Sequence, residues 1–422
     1  MPDVLDVQDV RGRFPALSQI QDGRPVAFFD NPGATQCPQT VIDAVSGYLT
    51  SHNANRGGAF ATSRRSDAML ADAHQAMADL LGAASPAEIV FGANMTTLTF
   101  GVSRALGRTL APGDEIVVTH LDHDANIAPW LLLAEDVGAI VRWVDIRSED
   151  CTLDLESLAR SLSPRTRIVA VGYASNAVGT INDVRSIVRM AHAAGALVFV
   201  DAVQHAPHGA IDVQDLGCDL LACSAYKFFG PHVGVLYGRL DLLERLQAYK
   251  VRAAADRPPD KFETGTQNHE GIEGTLAAVE YLASLGDEPL PETNAPASRR
   301  ARLRSALSRI EQHERLLCTR VLEGLAGLPS ARVWGIANPA RIRERVPTVS
   351  FTLDGRRPAE ITERLARAGV FATAGHFYAV ALIRRLGLES AGGLVRVGLA
   401  HYNTVDEVDR LIAELRAIER SA

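Results

Sequence analysis

Residues 198–238 constrain the fold more than any other part of the sequence. Three apolar runs, each of a length typical of a buried strand, lie in or next to this stretch, at 197–200, 220–223 and 233–237. The first run ends at Asp201, and the second leads into Lys227. Ligands of open α/β sheets bind outside the carboxyl ends of the strands, where this acid and this lysine are expected. The stretch therefore predicts a ligand site in an α/β fold.

Strands and helices alternate regularly around this stretch. Further strands are predicted at 88–91, 116–119 and 167–171, and helices at 64–81, 98–106 and 184–194. The alternation predicts a mostly parallel central sheet with helices on both faces. No GxGxxG motif lies at a strand–helix junction and no Walker-type loop occurs, so the sequence does not support a dinucleotide or nucleoside triphosphate site.

The chemistry of pyridoxal phosphate (PLP) requires a lysine and an acid in this arrangement. The amine of Lys227 would form a Schiff base with the cofactor aldehyde, and Asp201 would keep the pyridine nitrogen protonated, so that the ring acts as an electron sink. The alternative is an exposed lysine in an ordinary α/β protein, because lysines are usually exposed. The order and spacing of four residues favour the cofactor site: Asp201, Gln204, Ser224 and Lys227.

Two segments carry a resemblance to a known family. VDAVQH at 200–205 and SAYKFFGPHVGVLYG at 224–238 resemble the fold-type I PLP enzymes of aminotransferase class V, in particular the cysteine desulfurase and selenocysteine lyase branch. The resemblance extends from about residue 28 to about residue 413. It implies PLP as the cofactor and Lys227 as the Schiff-base lysine. The family usually has His directly before this lysine, whereas this sequence has Tyr226.

The resemblance also assigns the other cofactor contacts. DHDAN at 122–126 matches an E-H-x-A-N motif, and its His123 would stack on the cofactor ring and pass protons. Asn176 would reach the phenolic oxygen, although an Asx turn would also explain it. Met95 and Thr96 would hold the phosphate at a helix N-terminus, although a simple N-cap is the alternative. Contacts are also expected from Gln204, Ser224 and Tyr226.

A metal site is the alternative explanation for the spacing of His120 and His123. No further histidine, cysteine or acid completes a ligand set around them in the sequence, so no metal is expected.

Three residues are candidates for the substrate pocket. Arg396, in LVRVGLAHYNT, matches a family arginine that holds the substrate α-carboxylate, a role that suits a planar bidentate donor. A surface arginine on an edge strand is the alternative. Asn31 lies in a loop with which the family lines its pocket, and Arg56 lies in a glycine-rich loop where it could meet a carboxylate. A solvated loop arginine explains Arg56 equally well.

The sequence departs from the family at one loop. Desulfurases carry a nucleophilic cysteine there, in a pattern like R-x-G-H-H-C, whereas residues 373–378 read TAGHFY. Tyr378 thus occupies the cysteine position and Thr373 the arginine position, and no cysteine follows Cys318. Persulfide formation needs a thiolate on this loop, so we expect none.

We expect instead a PLP-dependent elimination of the C–S lyase type on a small amino acid, with Tyr378 or His376 as the acid toward the leaving group. Class V aminotransferase or epimerase chemistry is the alternative. A catalytically silent PLP-binding scaffold is an alternative of another class. Four intact residues argue against the scaffold: His123, Asp201, Lys227 and Arg396.

The sequence also predicts domains and partners. We expect an N-terminal arm at 1–27 that packs with the small domain, a large PLP domain at 28–285, a linker at 286–298 and a small α+β domain at 299–422. FETGT at 262–266 resembles a motif whose Gly265 and Thr266 would reach the phosphate in the other subunit, which implies a homodimer with shared sites.

The net charge and the N-terminal sequence argue against nucleic acid and membrane partners and against secretion. A net charge of −7 gives no electrostatic case for nucleic acid or an anionic membrane. The N-terminus lacks the cations and apolar core of a signal peptide, and no apolar run reaches membrane-spanning length. The five cysteines include no CxxC pair and suggest reduced thiols, so we expect a cytoplasmic protein.

Overall fold

The structure is a computed structural model that describes residues 5–286 and 297–421. A seven-stranded sheet forms its centre, and neighbouring strands follow the order Ile89–Gly92, Gly234–Gly238, Leu220–Ser224, Leu197–Asp201, Thr166–Gly172, Glu115–Thr119 and Ile140–Val144. The Gly234–Gly238 strand is antiparallel to both neighbours, and the other pairs are parallel. The predicted mostly parallel α/β sheet is therefore confirmed.

Apolar side chains cover both faces of this sheet. In the Leu197–Asp201 strand, Val198 and Val200 enter one apolar core, and Phe199 enters another. Because side chains of a strand alternate between its faces, the two cores lie on opposite sides. Helices on the first face are Gln39–Ser51, Ala61–Leu81, Leu155–Ser161, Val184–Ala193 and His269–Ser284, and those on the second are Met95–Gly107, Ala128–Val137 and Leu240–Arg245.

A smaller α+β domain follows in the chain. Its antiparallel sheet has the strand order Ala331–Trp334, Thr348–Leu353, Leu394–Gly398 and Thr373–Gly375. Its helices are Pro358–Arg367, Val380–Arg385 and Val405–Arg420. The long helix Arg299–Ala326 joins the two domains: Leu307 packs in the first core of the large domain, and Leu322 in the core of the small one.

The N-terminal segment corrects the predicted domain border. The Ala27–Phe28 strand pairs with Val370–Phe371, and Ala27 and Phe29 belong to the core of the small domain. Residues 27–29 therefore belong with the small domain. The predicted border at residue 28 had placed the start of the large domain there. Before them, Arg11 donates to the Tyr402 carbonyl at 2.7 Å, and Val10 and Phe14 pack in the first core of the large domain, so the arm contacts both domains. Residues 287–296 of the predicted linker lie outside the described residues.

Candidate active site

A cavity of about 360 Å³ lies at the carboxyl ends of the central strands. The large domain forms most of its wall, and the small domain contributes Thr373, Phe377, Tyr378 and Arg396. This volume is in the range of sites for small molecules and cofactors. The wall includes most of the residues predicted for the site: Met95, Thr96, His123, Asn176, Asp201, Gln204, Tyr226, Lys227, Tyr378 and Arg396.

Lys227 ends a single 3-10 turn, Ala225–Lys227, which directly follows the Leu220–Ser224 strand. Its Nζ donates hydrogen bonds to the carbonyls of Pro32, at 2.5 Å, and Gly33, at 2.6 Å. Burial, together with the nearby charge of Arg396, lowers the pKa of this amine to about 7. A large share of the amine is therefore uncharged near neutral pH, as a nucleophilic or basic lysine requires.

Two buried carboxyl groups face the same cavity. Asp201 accepts the Val203 N–H at 2.9 Å, and burial raises its pKa to about 6. Asp122 accepts a hydrogen bond from the Thr119 hydroxyl and another from Asn126 Nδ2 at 3.0 Å. Burial nevertheless raises the pKa of Asp122 to about 7. In the sequence Asp122 is only one residue of the DHDAN motif, and its position in the cavity wall was not predicted.

His123 is held in one protonation state. Its Nδ1 accepts the Ala125 N–H at 3.0 Å, which assigns the ring proton to Nε2 in the neutral form. Burial lowers the pKa of His123 to about 4, and the charges of Lys227 and Arg396 act in the same direction. His123 is therefore a neutral donor near pH 7. This state suits stacking and hydrogen bonding better than the proton transfer that the sequence suggested.

The helix Met95–Gly107 begins at the cavity wall. Asn94 caps it by accepting the Thr97 N–H at 2.9 Å, and the Met95 N–H donates to Ser224 Oγ at 3.0 Å. A Cβ atom on Gly234 would lie 2.3 Å from the carbonyl carbon of Asn94, so only glycine allows the strand to approach this helix end. Ser224 thus supports the helix and is not part of the cavity wall.

These features fit PLP. Amide groups in the first turn of a helix lack intrahelical partners and can bind anions such as a phosphate. Here Ser224 accepts the Met95 N–H and Asn94 accepts the Thr97 N–H, which leaves the Thr96 N–H for that role. On another wall of the cavity, the buried Oδ1 of Asn176 has no hydrogen-bond partner within the described residues, while its Nδ2 donates to the Phe377 carbonyl at 2.7 Å. An unpaired buried polar atom is costly, so its position indicates a polar ligand in the cavity.

A loop of the small domain closes over the cavity. Phe377 and Tyr378 both have a positive φ, of 52° and 58°. This conformation costs a non-glycine residue about 1–2 kcal/mol. Two bonds offset the cost, since Asn176 binds the Phe377 carbonyl and the Asp124 N–H donates to the Tyr378 carbonyl at 2.7 Å. The Tyr378 ring stacks on His123 at 5.5 Å between centroids and stays 66% exposed, so it lies at the mouth of the cavity.

Arg396 lies on the Leu394–Gly398 strand, inside the small sheet, and is buried. It is therefore not the surface arginine on an edge strand that was the alternative. Its guanidinium donates to the Asn176 carbonyl and to Asp30 Oδ1, both at 3.1 Å, and lies 4.3 Å from the centroid of the Phe377 ring. Its buried Nε has no partner among the described residues, which leaves a donor for a carboxylate.

Besides Ser224, three residues predicted for this subunit's own site lie outside the cavity. Asn31 Nδ2 donates to the Gly398 carbonyl at 2.8 Å, and the Tyr402 hydroxyl donates to Asn31 Oδ1, so its amide holds the two domains together. Arg56 is exposed and pairs with Asp260 at 2.8 Å. His376 accepts the Tyr378 N–H through Nδ1 at 3.0 Å and borders a smaller cavity of about 140 Å³.

Thr266 borders a third cavity, of about 450 Å³, between the Met95–Gly107 helix and residues 248–268. Neither Gly265 nor Thr266 reaches the Lys227 cavity within one chain. No group of three or more histidine, cysteine or acidic residues in 5–286 and 297–421 is placed to hold a metal ion. None of the helices described combines the length and apolar character needed to cross a membrane.

The family model of aminotransferase class V matches residues 27–305 and 302–411. The chain therefore belongs to aminotransferase class V, whose members are PLP-dependent enzymes that typically act on amino acids. Lys227, Asp201 and the helix end at Met95 are the parts of this fold expected to hold that cofactor.

Within this family the chain is similar to cysteine desulfurases. It is 35% identical to the probable cysteine desulfurase 1 of Mycobacterium leprae over 99% of this chain and 66% of the relative, so it spans less than two thirds of that protein. It is 34% identical to a cysteine desulfurase of Dickeya dadantii, over 98% of this chain and 97% of the relative. The apo structure of a cysteine desulfurase from Thermococcus onnurineus matches with a TM-score of 0.88 and 27% identity over the full length of both chains.

Proposed function

We propose that this chain is a PLP-dependent lyase that cleaves a small amino acid at Cβ without forming an enzyme persulfide. The proposal rests mainly on the position of Tyr378. It lies at the cavity mouth, in the loop position where the resemblance places a nucleophilic cysteine. All five cysteines are described, and none of them borders the cavity.

The environments of the cysteines support this proposal. Four of the five are buried, and Cys37 is partly buried against the Gly230 carbonyl. Burial raises the pKa of Cys151 to about 11 and that of Cys218 to about 12, and it raises the pKa of Cys37, Cys223 and Cys318 as well. Thiols in such surroundings carry little thiolate at neutral pH and are poor nucleophiles.

Several residues would hold the cofactor. Asp201, largely ionised near neutral pH, would keep the proton on the ring nitrogen. Asn176 would bind the phenolic oxygen through its amide nitrogen, in place of the Phe377 carbonyl that this nitrogen contacts here. Gln204, which shares the Pro32 carbonyl with Lys227, would border the cofactor. The helix end at Met95 and Thr96, with Ser224 behind it, would bind the phosphate. Tyr226 forms part of the same wall. When bound, PLP supplies an electron sink that stabilises negative charge at the substrate Cα.

The remaining residues would act on the substrate. Arg396 would bind the α-carboxylate through its free Nε and the remaining guanidinium protons. The uncharged amine of Lys227 would take the Cα proton, because its pKa of about 7 matches neutral pH. His123 would donate a hydrogen bond from Nε2 into the cavity. The Tyr378 hydroxyl would protonate the leaving group at the cavity mouth.

We further propose a cytoplasmic homodimer with shared sites. The cavity that contains Thr266 lies apart from Lys227, as a contact to the cofactor of a partner subunit would require. The exposed loop at Arg56 is also free to meet a partner. Five free cysteines suit a reducing compartment.

The test is a screen of amino acids with purified, PLP-loaded protein, with assays for 2-oxo acid, ammonia and sulfide. We expect ammonia and a 2-oxo acid, with sulfide when cysteine is the substrate. Amino transfer to an added 2-oxo acid without ammonia release would replace elimination by transamination. A persulfide on any cysteine, detected by alkylation and mass spectrometry during turnover, would contradict the proposal.

Borohydride reduction tests the cofactor site separately. Lys227, Lys250 and Lys261 are the only lysines in the sequence, so peptide mapping assigns the modified residue without ambiguity. We expect fixation on Lys227 and none in Lys227→Ala. Fixation on Lys250 or Lys261 would place the cofactor elsewhere.

A further inference from the structure

Asp30 gives the buried Arg396 a carboxylate partner from the chain itself. The Arg396 guanidinium donates to Asp30 Oδ1 at 3.1 Å, and both side chains border the Lys227 cavity. The arginine side chain is 5% exposed, whereas the aspartate is 42% exposed. One partner is therefore fixed within the protein, and the other is open to the cavity and free to move.

Gly33 leaves the space in which this carboxylate lies. A Cβ atom on Gly33 would stand 2.7 Å from Asp30 Oδ2 and 3.0 Å from Oδ1. The backbone of Gly33 is not in the left-handed region, so its conformation alone does not require glycine. An alanine at this position would instead push the Asp30 carboxylate away from its present place.

The same segment also touches the reactive lysine. The carbonyls of Pro32 and Gly33 accept the two hydrogen bonds of Lys227 Nζ, and Gln204 Nε2 donates to the Pro32 carbonyl at 2.9 Å. Residues 30–33 thus contact both cationic side chains of the cavity. Their side-chain and backbone oxygens thus hold the two basic side chains of the cavity in place.

We propose that the Asp30 carboxylate binds Arg396 and competes there with the α-carboxylate of the substrate. Asp30 thereby lowers the affinity for amino acids. The proposal rests on the role of Arg396 in the proposed function. A substrate carboxylate must displace Asp30 or share one guanidinium with it, and two carboxylates held close together repel each other. Because this cost applies to substrate and transition state alike, Asp30 acts on KM or Kd.

Asp30→Asn tests this directly, because it keeps the shape and one acceptor and removes the charge. The probe is propionate, and propanamide is its uncharged match. Binding is measured by ligand-observed NMR on the cofactor-free protein and by competition with the cofactor absorbance change on the loaded protein. We expect propionate to bind about tenfold more tightly, in keeping with the effect of one charged hydrogen bond. Propanamide binding should not change.

A second variant keeps the charge and moves it. Gly33→Ala should displace the Asp30 carboxylate and should also tighten propionate binding. Asp409→Asn is the matched control, since Asp409 pairs with the exposed Arg320 and neither residue borders the cavity. It removes the same charge and should leave propionate binding unchanged.

The outcomes separate the two proposals. If neither Asp30→Asn nor Gly33→Ala tightens propionate binding, Asp30 merely orients Arg396 and the inference is wrong. Arg396→Lys should abolish propionate binding in either background. If it does not, the carboxylate site lies elsewhere, and the substrate-binding part of the proposed function fails independently of Asp30.

Discussion

Replacing Lys227 with methionine in the cofactor-free protein removes a buried amine, and its effect on stability should depend on pH. The folded protein lowers the pKa of this amine from 10.5 to about 7, chiefly through burial. Between these two values the unfolded chain binds the proton and the folded chain does not. The stability of the wild type therefore rises with pH in this window, by about 1.4 kcal/mol per pH unit.

The methionine variant lacks this dependence on pH. The free energy of unfolding of the variant should therefore exceed that of the wild type by the largest amount at the lower end of the window. Its advantage should shrink by about 1.4 kcal/mol for each pH unit, or by about 5 kcal/mol over the whole window. Loss of the bonds to the Pro32 and Gly33 carbonyls adds a cost of about 1–3 kcal/mol. That cost is the same at each pH and does not affect the slope.

Urea unfolding followed by circular dichroism at pH 7.5, 8.5 and 9.5 measures this slope. Other groups that titrate in the window, including the buried thiols, are common to both proteins and cancel in the difference. Equal m-values would establish that the variant unfolds from the same fold. A stability difference that is independent of pH would refute the argument, because it would mean that the amine is not desolvated in the folded chain.

Three other predictions concern the site. Tyr378→Phe should lower turnover by about 10²–10⁴-fold, the usual effect of losing a general acid, with unchanged cofactor absorbance; unchanged turnover would mean that Tyr378 only packs. Gly234→Ala should weaken PLP binding at least about tenfold, because overpacking of about 1–3 kcal/mol falls on the helix end. Gly12→Ala, with no atom near its Cβ position, is the control. The loaded protein should sediment as a dimer of the 45.3 kDa chain, and a monomer that retains PLP would contradict shared sites.

The sequence predicted the parts of the site that depend on local pattern. Continuous apolar runs located the strands that end at Asp201 and just before Lys227, at Ser224, since strands buried on both faces have no polar alternation. The Ile140–Val144 strand was missed because it lies at the edge of the sheet and alternates exposed and partly buried residues. Residues 140–144 read IVRWV, so the sequence shows neither a continuous apolar run nor an alternation of polar and apolar residues.

Contacts between distant segments were not predictable in this way. Asn31 was chosen from its loop, but the structure turns Asn31 toward Gly398 and Tyr402 and presents Asp30 to the cavity. Which residue of a tight turn faces a ligand depends on a side chain that is distant in sequence, here Arg396, which binds the Asp30 carboxylate. The position of Phe377 under Arg396 depends likewise on a contact between the domains, since Asn176 of the large domain binds the Phe377 carbonyl.

One physical cause unites the titratable groups of the cavity. Burial disfavours every charged form, so it lowers the pKa of Lys227 and His123 and raises that of Asp201 and Asp122. Lys227 is thereby brought to about neutral pH, where one amine can both take up and return a proton. His123 is carried well past that range and is left as a fixed donor. The same low polarity that makes Lys227 a suitable base thus removes His123 from that role, in keeping with the proposal that Lys227 takes the Cα proton.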